Sequence, residues 1–201
     1  MGRASAVQAK RNRDRVVEVT SLLIRAQSFD TITIKNIMSA ASLTPGAFYN
    51  MFDSKEALLN EALQRSFKKS VDSWDALGNT SLQTLISYYF MTKPEETCPM
   101  LAFPSQGTPS EYSLIRESYS NGCDQLLQQF LGKKAHPEAE INSVQLDPKE
   151  LTLFAAMVGA AALARGAGET PWIKQLMSAV IDLAGTESGS HIPPVKSQAK
   201  D

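Results

Sequence analysis

The stretch Ile34 to Lys55, IKNIMSAASLTPGAFYNMFDSK, most constrains what this chain can fold into. Ile34, Ile37 and Ala41 recur at helical spacing and mark one buried face of a short helix. Ser42-Leu43-Thr44 breaks that pattern. Thr44 is then suited to an N-cap, its hydroxyl accepting from the orphan amides that follow, and Pro45 to the first helical position, where no amide hydrogen is needed. Phe48 and Phe52 face inward together from a second short helix. Asp53-Ser54 ends it and caps a third, with Lys55 in its first turn. Two short helices joined by a three-residue turn fit a helix-turn-helix, whose second helix enters a DNA major groove. The same spacing also fits a plain helical hairpin.

The charge distribution separates these two readings. The 201-residue chain has a formal net charge of −1, but Met1 to Ser70 carries eleven Lys/Arg against six Asp/Glu, and the rest carries nine against fifteen. Phosphate neutralisation drives nucleic-acid affinity, so the basic third coincides with the proposed reader.

The remaining chain reads as helices throughout. Met1 to Arg15 is either a solvated terminus or a basic arm to DNA phosphates. Asn12 to Gln27 is the first helix, with Val16, Val19, Thr20, Leu23 and Gln27 as its stripe, widened by Leu22 and Ala26. Thr33 caps the second helix. A long helix from Ser54 to about Leu77 shows Leu58, Leu59, Ala62, Leu63 and Phe67. Helices follow over about Leu82 to Thr92, Ser110 to Leu131, with Leu114, Ile115, Tyr119, Cys123, Leu126, Leu127 and Phe130 lining it, and from Asp147-Pro148 to Arg165. Thr170-Pro171 opens the last, striped by Ile173, Leu176, Met177, Val180, Ile181 and Ala184 and stopped by Gly185. No strand pattern or internal repeat is evident. The expected class is all-α, about nine helices: an N-terminal helix-turn-helix three-helix domain and a C-terminal helical domain for ligand binding and dimerisation. The expected division is an arm and DNA-binding domain over 1–67, a sensing and dimerisation domain over 68–185, and a polar tail over 186–201.

Residues 29–58 resemble the TetR family of bacterial repressors. That family reads, loosely, aromatic-x-x-Thr-Thr-Val-x-x-Ile-Ala, then Ala-Gly-Val-Ser-x-Gly-x-Leu-Tyr-x-His-Phe-x-Ser-Lys-Glu-x-Leu. This chain matches at Phe29, Thr33, Ile34, Ile37, Ala41, Gly46, Tyr49, Phe52, Ser54, Lys55, Glu56 and Leu58. It departs at Ser28 and Ser42, where the family usually has Gly, at Met38 for Ala, and at Met51 for His or Tyr. Ser adopts positive φ less easily than Gly, so the departure bears on the turn at Ser42. Cys98-Pro99-Met100-Leu101-Ala102 and the run from Met157 through Leu163-Ala164-Arg165 resemble one subgroup. The resemblance implies a homodimer built from the last two helices of each subunit, with Val158, Ala162, Arg165, Ile173, Met177 and Val180 at its interface. Two readers about 34–36 Å apart would then meet a pseudo-palindromic operator.

The DNA-contact candidates are Lys35, Thr44, Pro45, Gly46, Ala47, Tyr49, Asn50 and Lys55. Tyr49 and Lys55 suit phosphates, Gly46 and Ala47 close approach to base edges, and Asn50 either adenine or phosphate. Tyr49 has a second reading as a half-buried core aromatic. For a small-molecule effector of unknown identity, the pocket candidates are Trp74, Tyr89, Phe90, Phe103, Tyr119, Met157 and Trp172. Aromatic and Met residues at such spacings serve more often as plain core.

Cys98 opens an alternative as an electrophile or redox sensor, which needs an exposed thiol of lowered pKa. An adaptor with impaired DNA binding is a further alternative. Two cysteines are too few for a disulfide framework, and neither sits at metal-ligand spacing. His136 and His191 lack a matched acid or nucleophile, so no enzyme is expected, nor any cofactor or metal. The N-terminus lacks a secretory signal's apolar run, and apolar runs break well before the ~20 residues that span a bilayer, so the expected setting is cytoplasmic with no membrane partner.

Overall fold

The computed structural model describes residues 2–26, 31–93, 97–102, 113–132 and 146–186. Among them the chain is all-helical and forms no strand. It divides into two compact units, one of Met1–Asn79 with Thr92–Gln145, the other of Thr80–Met91 with Leu146–Asp201. This is a division by packing, and it does not run in step with chain order.

The first unit is built on two long helices, α1 (Gly2–Ala26) and α3 (Lys55–Ala76). Between them in sequence lie α2 (Ile34–Ala40) and a short 3₁₀ helix (Pro45–Asn50). The small α5 (Pro99–Ala102) touches α1 and α3, and α6 (Ser113–Gly132) packs along α3. Helix α1 begins ten residues ahead of the expected Asn12, and its inward stripe is rotated from the expected one. Val16, Val17, Thr20, Ser21 and Ile24 are buried, Val19 and Leu23 are half-buried, and Leu22 is exposed. The two buried hydroxyls bond back into their own helix, Thr20 Oγ1 to the Val16 carbonyl at 2.8 Å and Ser21 Oγ to the Glu18 carbonyl at 2.9 Å. That self-satisfaction lets polar residues occupy the seam with α3, which an apolar count misses.

Helix α3 starts at Ser54, whose Oγ accepts from the Ala57 amide at 3.0 Å. Leu58, Leu59, Ala62, Leu63 and Phe67 are buried as their spacing requires. On α6, Ile115, Gly122, Leu126 and Phe130 face α3, whereas Leu114, expected inside, is exposed at the helix start. Gly122 has a packing reason: an added Cβ would fall within the Phe67 ring. The absence of a side chain at Gly122 is what lets α6 seat on that aromatic.

The second unit packs α4 (Leu82–Met91), α7 (Pro148–Ala167) and α8 (Pro171–Thr186). Ser81 Oγ caps α4 through the Thr84 amide at 3.3 Å, and Asp147 caps α7 through the Lys149 amide at 2.9 Å. Gly168, at φ +71°, stops α7 with its amide on the Ala164 carbonyl. Leu85, Ile86 and Tyr89 of α4 meet Leu153, Met157, Ala160 and Ala161 of α7 and Ile173, Val180 and Ala184 of α8 in the core. Gly185 does not end α8, which runs one residue further, to Thr186.

Helix α7 is buried along one row only. By length and composition it is apolar enough to cross a membrane, a test that core helices of soluble proteins also pass. Gln27, Ser28, Phe29, Phe103, the segment 133–145 and the tail after Thr186 lie outside the described residues.

Candidate nucleic-acid interface

The helix pair is held from beneath. Thr33 Oγ1 accepts from the Asn36 amide at 3.1 Å and caps α2 as its sequence position suggests. At the other end, the Ser42 amide bonds the Ser39 carbonyl at 2.9 Å and the Leu43 amide bonds the Met38 carbonyl at 2.8 Å. These paired bonds form a Schellman closure, and its left-handed residue is Ser42 at φ +58°. Ser42 is the only described non-glycine residue with positive φ. The substitution singled out in the sequence therefore falls on the one position of the turn that favours glycine.

The second helix of the pair is 3₁₀ rather than α, and Thr44 does not cap it with its side chain. Its backbone closes the first turn instead, the Ala47 amide reaching the Thr44 carbonyl at 3.0 Å. With one capping bond fewer, the Thr44 hydroxyl stays exposed on the outer face. Phe48 is fully buried, with its ring 5.6 Å from that of Phe52. The Met51 and Phe52 amides both bond the Phe48 carbonyl, at 2.9 and 3.0 Å, and finish the helix. Anchored by these rings, the opposite face turns outward. Tyr49 is 72% exposed and stands edge-on to Phe48 at 5.2 Å, so it is no core aromatic.

Lys35, Thr44, Pro45, Gly46 and Asn50 are exposed, and Ala47 and Lys55 are half-buried. Gly46 needs neither unusual φ nor space within the fold, since an added Cβ would meet nothing within 4 Å. Asn36 and Ser39 share the exposed side of α2 with Lys35. They were legible as the complement of buried Ile37, Met38 and Ala41.

The basic count overstates the charge available at this face. Arg13 pairs with Glu61, Arg65 with Asp14 and Glu18, Lys69 with Glu18, and Lys68 with Asp72. Arg25 is buried near the end of α1. Lys10, Arg11, Arg15 and Lys35 are exposed.

The other candidates are scattered. Trp74 and Tyr119 belong to the first unit, and Tyr89, Phe90, Met157 and Trp172 to the second. Trp74, Tyr89 and Met157 are core, whereas Trp172 is 50% exposed. Tyr119 donates its hydroxyl to the Met100 carbonyl at 3.2 Å. Cys98 is 5% exposed, and burial pushes the half-buried Cys123 thiol up to about 11. Both observations oppose ready thiolate formation.

Of the residues expected at a dimer face, Ile173 and Val180 are enclosed within the second unit, because the α8 stripe that contains them packs against α4 and α7. Ala162 and Arg165 are exposed, and Val158 and Met177 are half-buried. Leu151 and Leu163 of α7, and Trp172 and Leu183 of α8, are exposed apolar side chains on the rows beside the buried ones.

Residues 16–62 match the model of the bacterial regulatory proteins of the tetR family. No curated protein matches the chain. Among solved structures, the fold is similar to a TetR-family transcriptional regulator from Cytophaga hutchinsonii, at 15% identity, covering 89% of this chain and 96% of that one, with TM-score 0.69. It is also similar to a TetR regulator from Chloroflexus aurantiacus J-10-FL, at 24% identity over 90% and 96% of the two chains, TM-score 0.69. The reduced form of NemR from E. coli aligns at 18% identity over 86% and 97%, TM-score 0.65. The chain thus carries a TetR-family N-terminal domain within the all-helical fold of TetR-like regulators.

Proposed function

We propose that the protein is a sequence-specific DNA-binding transcription regulator that works in the cytoplasm as a homodimer. The observation that carries this reading is the reader's division into two faces. Phe48 and Phe52 are locked inside, while Thr44, Pro45, Gly46, Tyr49 and Asn50 stand outside with Lys35 beside them. Gly46 fits this role, because a glycine that the fold does not require leaves room for DNA to come close. Residues 1–67 supply the reader, residues 68–185 the sensing and pairing half, and residues 186–201 the tail.

The test is binding of DNA flanking the protein's own gene, compared with a scrambled duplex at several salt concentrations. Preference for the flanking DNA, weakening steeply with salt, is expected. No binding to either duplex would favour the adaptor reading, and equal binding to both would remove the sequence specificity. Lys55→Ala is expected to weaken binding to all sequences and to reduce the salt slope by about one counterion. An unchanged slope removes Lys55 from the contact set.

Pairing is proposed through the outward rows of α7 and α8, Leu151, Val158, Ala162 and Leu163 with Trp172 and Leu183. The small residues along α7 permit close backbone approach. An apolar or aromatic effector that prefers one spacing of the two readers would then release or hold DNA, with repression the proposed outcome. Thiol sensing through Cys98 is the weaker reading, given its burial. Regulation that is abolished in Cys98→Ser would restore it.

A further inference from the structure

Arg13 lies in the basic segment that a charge count assigns to DNA phosphates, yet its guanidinium is already occupied on two sides. Nη1 and Nη2 each donate to a different oxygen of Glu61 on α3, both at 2.6 Å. The same group lies over the Phe52 ring, 4.7 Å from its centroid. Phe52 is the residue whose amide closes the 3₁₀ helix on the Phe48 carbonyl, and its ring meets that of Phe48, which in turn meets Tyr49. One planar cation therefore touches α1, α3 and the end of the reading helix together. The pairing continues away from the reader along the same two helices, where Arg65 meets Asp14 and Glu18, and Lys69 meets Glu18.

We propose that Arg13 is a positioning residue of the reader: it fixes the pitch of Pro45–Asn50 by bolting Phe52 to α3, and it does not act as a phosphate contact. The proposal rests on the DNA-reading function argued above and adds a residue that acts through Phe52. Arginine is needed for geometric reasons. Its fork fits a carboxylate at two points while its face remains available to an aromatic ring. Lysine keeps the charge but offers neither the fork nor the flat face. The bidentate bond to Glu61 also raises the Arg13 pKa.

The test uses the full chain with Arg13→Lys, Arg13→Ala, Glu61→Gln and the double variant Arg13→Lys/Glu61→Gln. All are measured well below their melting temperatures, so that global unfolding does not enter. The DNA probe is the duplex that the wild-type protein selects from a random pool, with a scrambled duplex beside it. For Arg13→Lys, affinity for the selected duplex should fall about tenfold at every salt concentration, the loss expected of a bidentate, face-stacked arginine. The salt slope should stay that of wild type in Arg13→Lys and also in Arg13→Ala, which removes the charge, and preference over the scrambled duplex should narrow. Without DNA, hydrogen exchange at the Met51 and Phe52 amides should quicken by about tenfold as the helix end loosens. Glu61→Gln should reproduce both effects, and the double variant should add little to either single change.

In Arg13→Ala, which removes the charge, a salt slope reduced by about one counterion with exchange unchanged would make Arg13 a phosphate contact and overturn the proposal. Unchanged affinity and exchange in Arg13→Lys would overturn it as well. A wild-type chain that selects no duplex would overturn the DNA reading and this role with it, and that result is read on the wild type before any variant is compared.

Discussion

In the seam between α1 and α3, Val16, Val17, Leu58, Leu59, Ala62 and Leu63 have no exposed surface, and ion pairs border it. Along α7 and α8 the apolar content is higher, yet Leu151, Leu163, Trp172 and Leu183 stand in solvent beside the buried rows. The first region finishes its hydrophobic face within its own unit. The second uses one row of each helix inside and leaves the neighbouring row open. Apolar composition alone therefore does not say where a helix's partner comes from. In α1 and α3 the partner is in the chain, and in α7 and α8 the open row is where we propose a second copy.

The contrast breaks most visibly through truncation. Phe67→Ala removes the ring that α6 seats on through Gly122, and it should destabilise the protein by about 3–5 kcal/mol, read by thermal or urea unfolding. Such a loss is a large fraction of a domain's stability. A change below about 1 kcal/mol would mean that the α3–α6 seam is not the tight one described. The corresponding change on the open side is Leu163→Glu. At 49% exposure, Leu163 contributes little to its own unit, so unfolding of a dilute monomer should move by less than about 0.5 kcal/mol. Dimer dissociation should instead strengthen by about 100-fold or more, because a buried unpaired carboxylate opposes closure. Light scattering on gel-filtered protein reads it, and an unaltered oligomeric state would remove α7 from the interface.

Much of this was legible beforehand, and each miss has a physical cause. The inside and outside of the helix pair Ile34–Asn50 followed from Ile37, Ala41, Phe48 and Phe52, because short amphipathic helices fix their faces by spacing alone. Helix starts at Thr33, Ser54 and Asp147 were readable because caps are local chemistry. The α1 stripe was misplaced because Thr20 and Ser21 satisfy their hydroxyls within the helix and so enter the seam. Ile173 and Val180 read as dimer residues because a regular stripe does not state whether its cover is internal or external. The charge count misled at Arg13, Arg65 and Lys69, since ion pairing across two helices has no local signature in sequence.

A smaller effect tests the turn between the two short helices Ile34–Ala40 and Pro45–Asn50. Ser42 holds φ +58° at the closure of α2, a conformation disfavoured for a residue with a Cβ. Ser42→Gly relieves that strain but also loosens the unfolded chain, which offsets part of the gain. The net expected change is a stabilisation of about 0.5–1 kcal/mol by urea unfolding. A loss of stability would show that the serine side chain contributes more at this site than its strain removes.

The smallest effects come from the two threonines that open these short helices, and they differ in kind. Thr33 spends its hydroxyl on the Asn36 amide, so Thr33→Ala should destabilise by about 1 kcal/mol. Thr44 occupies the same position on the next helix but makes no side-chain cap, and Thr44→Val should leave unfolding unchanged within about 0.5 kcal/mol. The valine keeps the branched shape and the extended backbone, and it removes only the outward hydroxyl. DNA affinity measured on Thr44→Val therefore isolates that hydroxyl from the fold. Weaker binding at unchanged stability would place it on DNA, whereas a stability loss matching that of Thr33→Ala would mean that Thr44 caps its helix in solution after all.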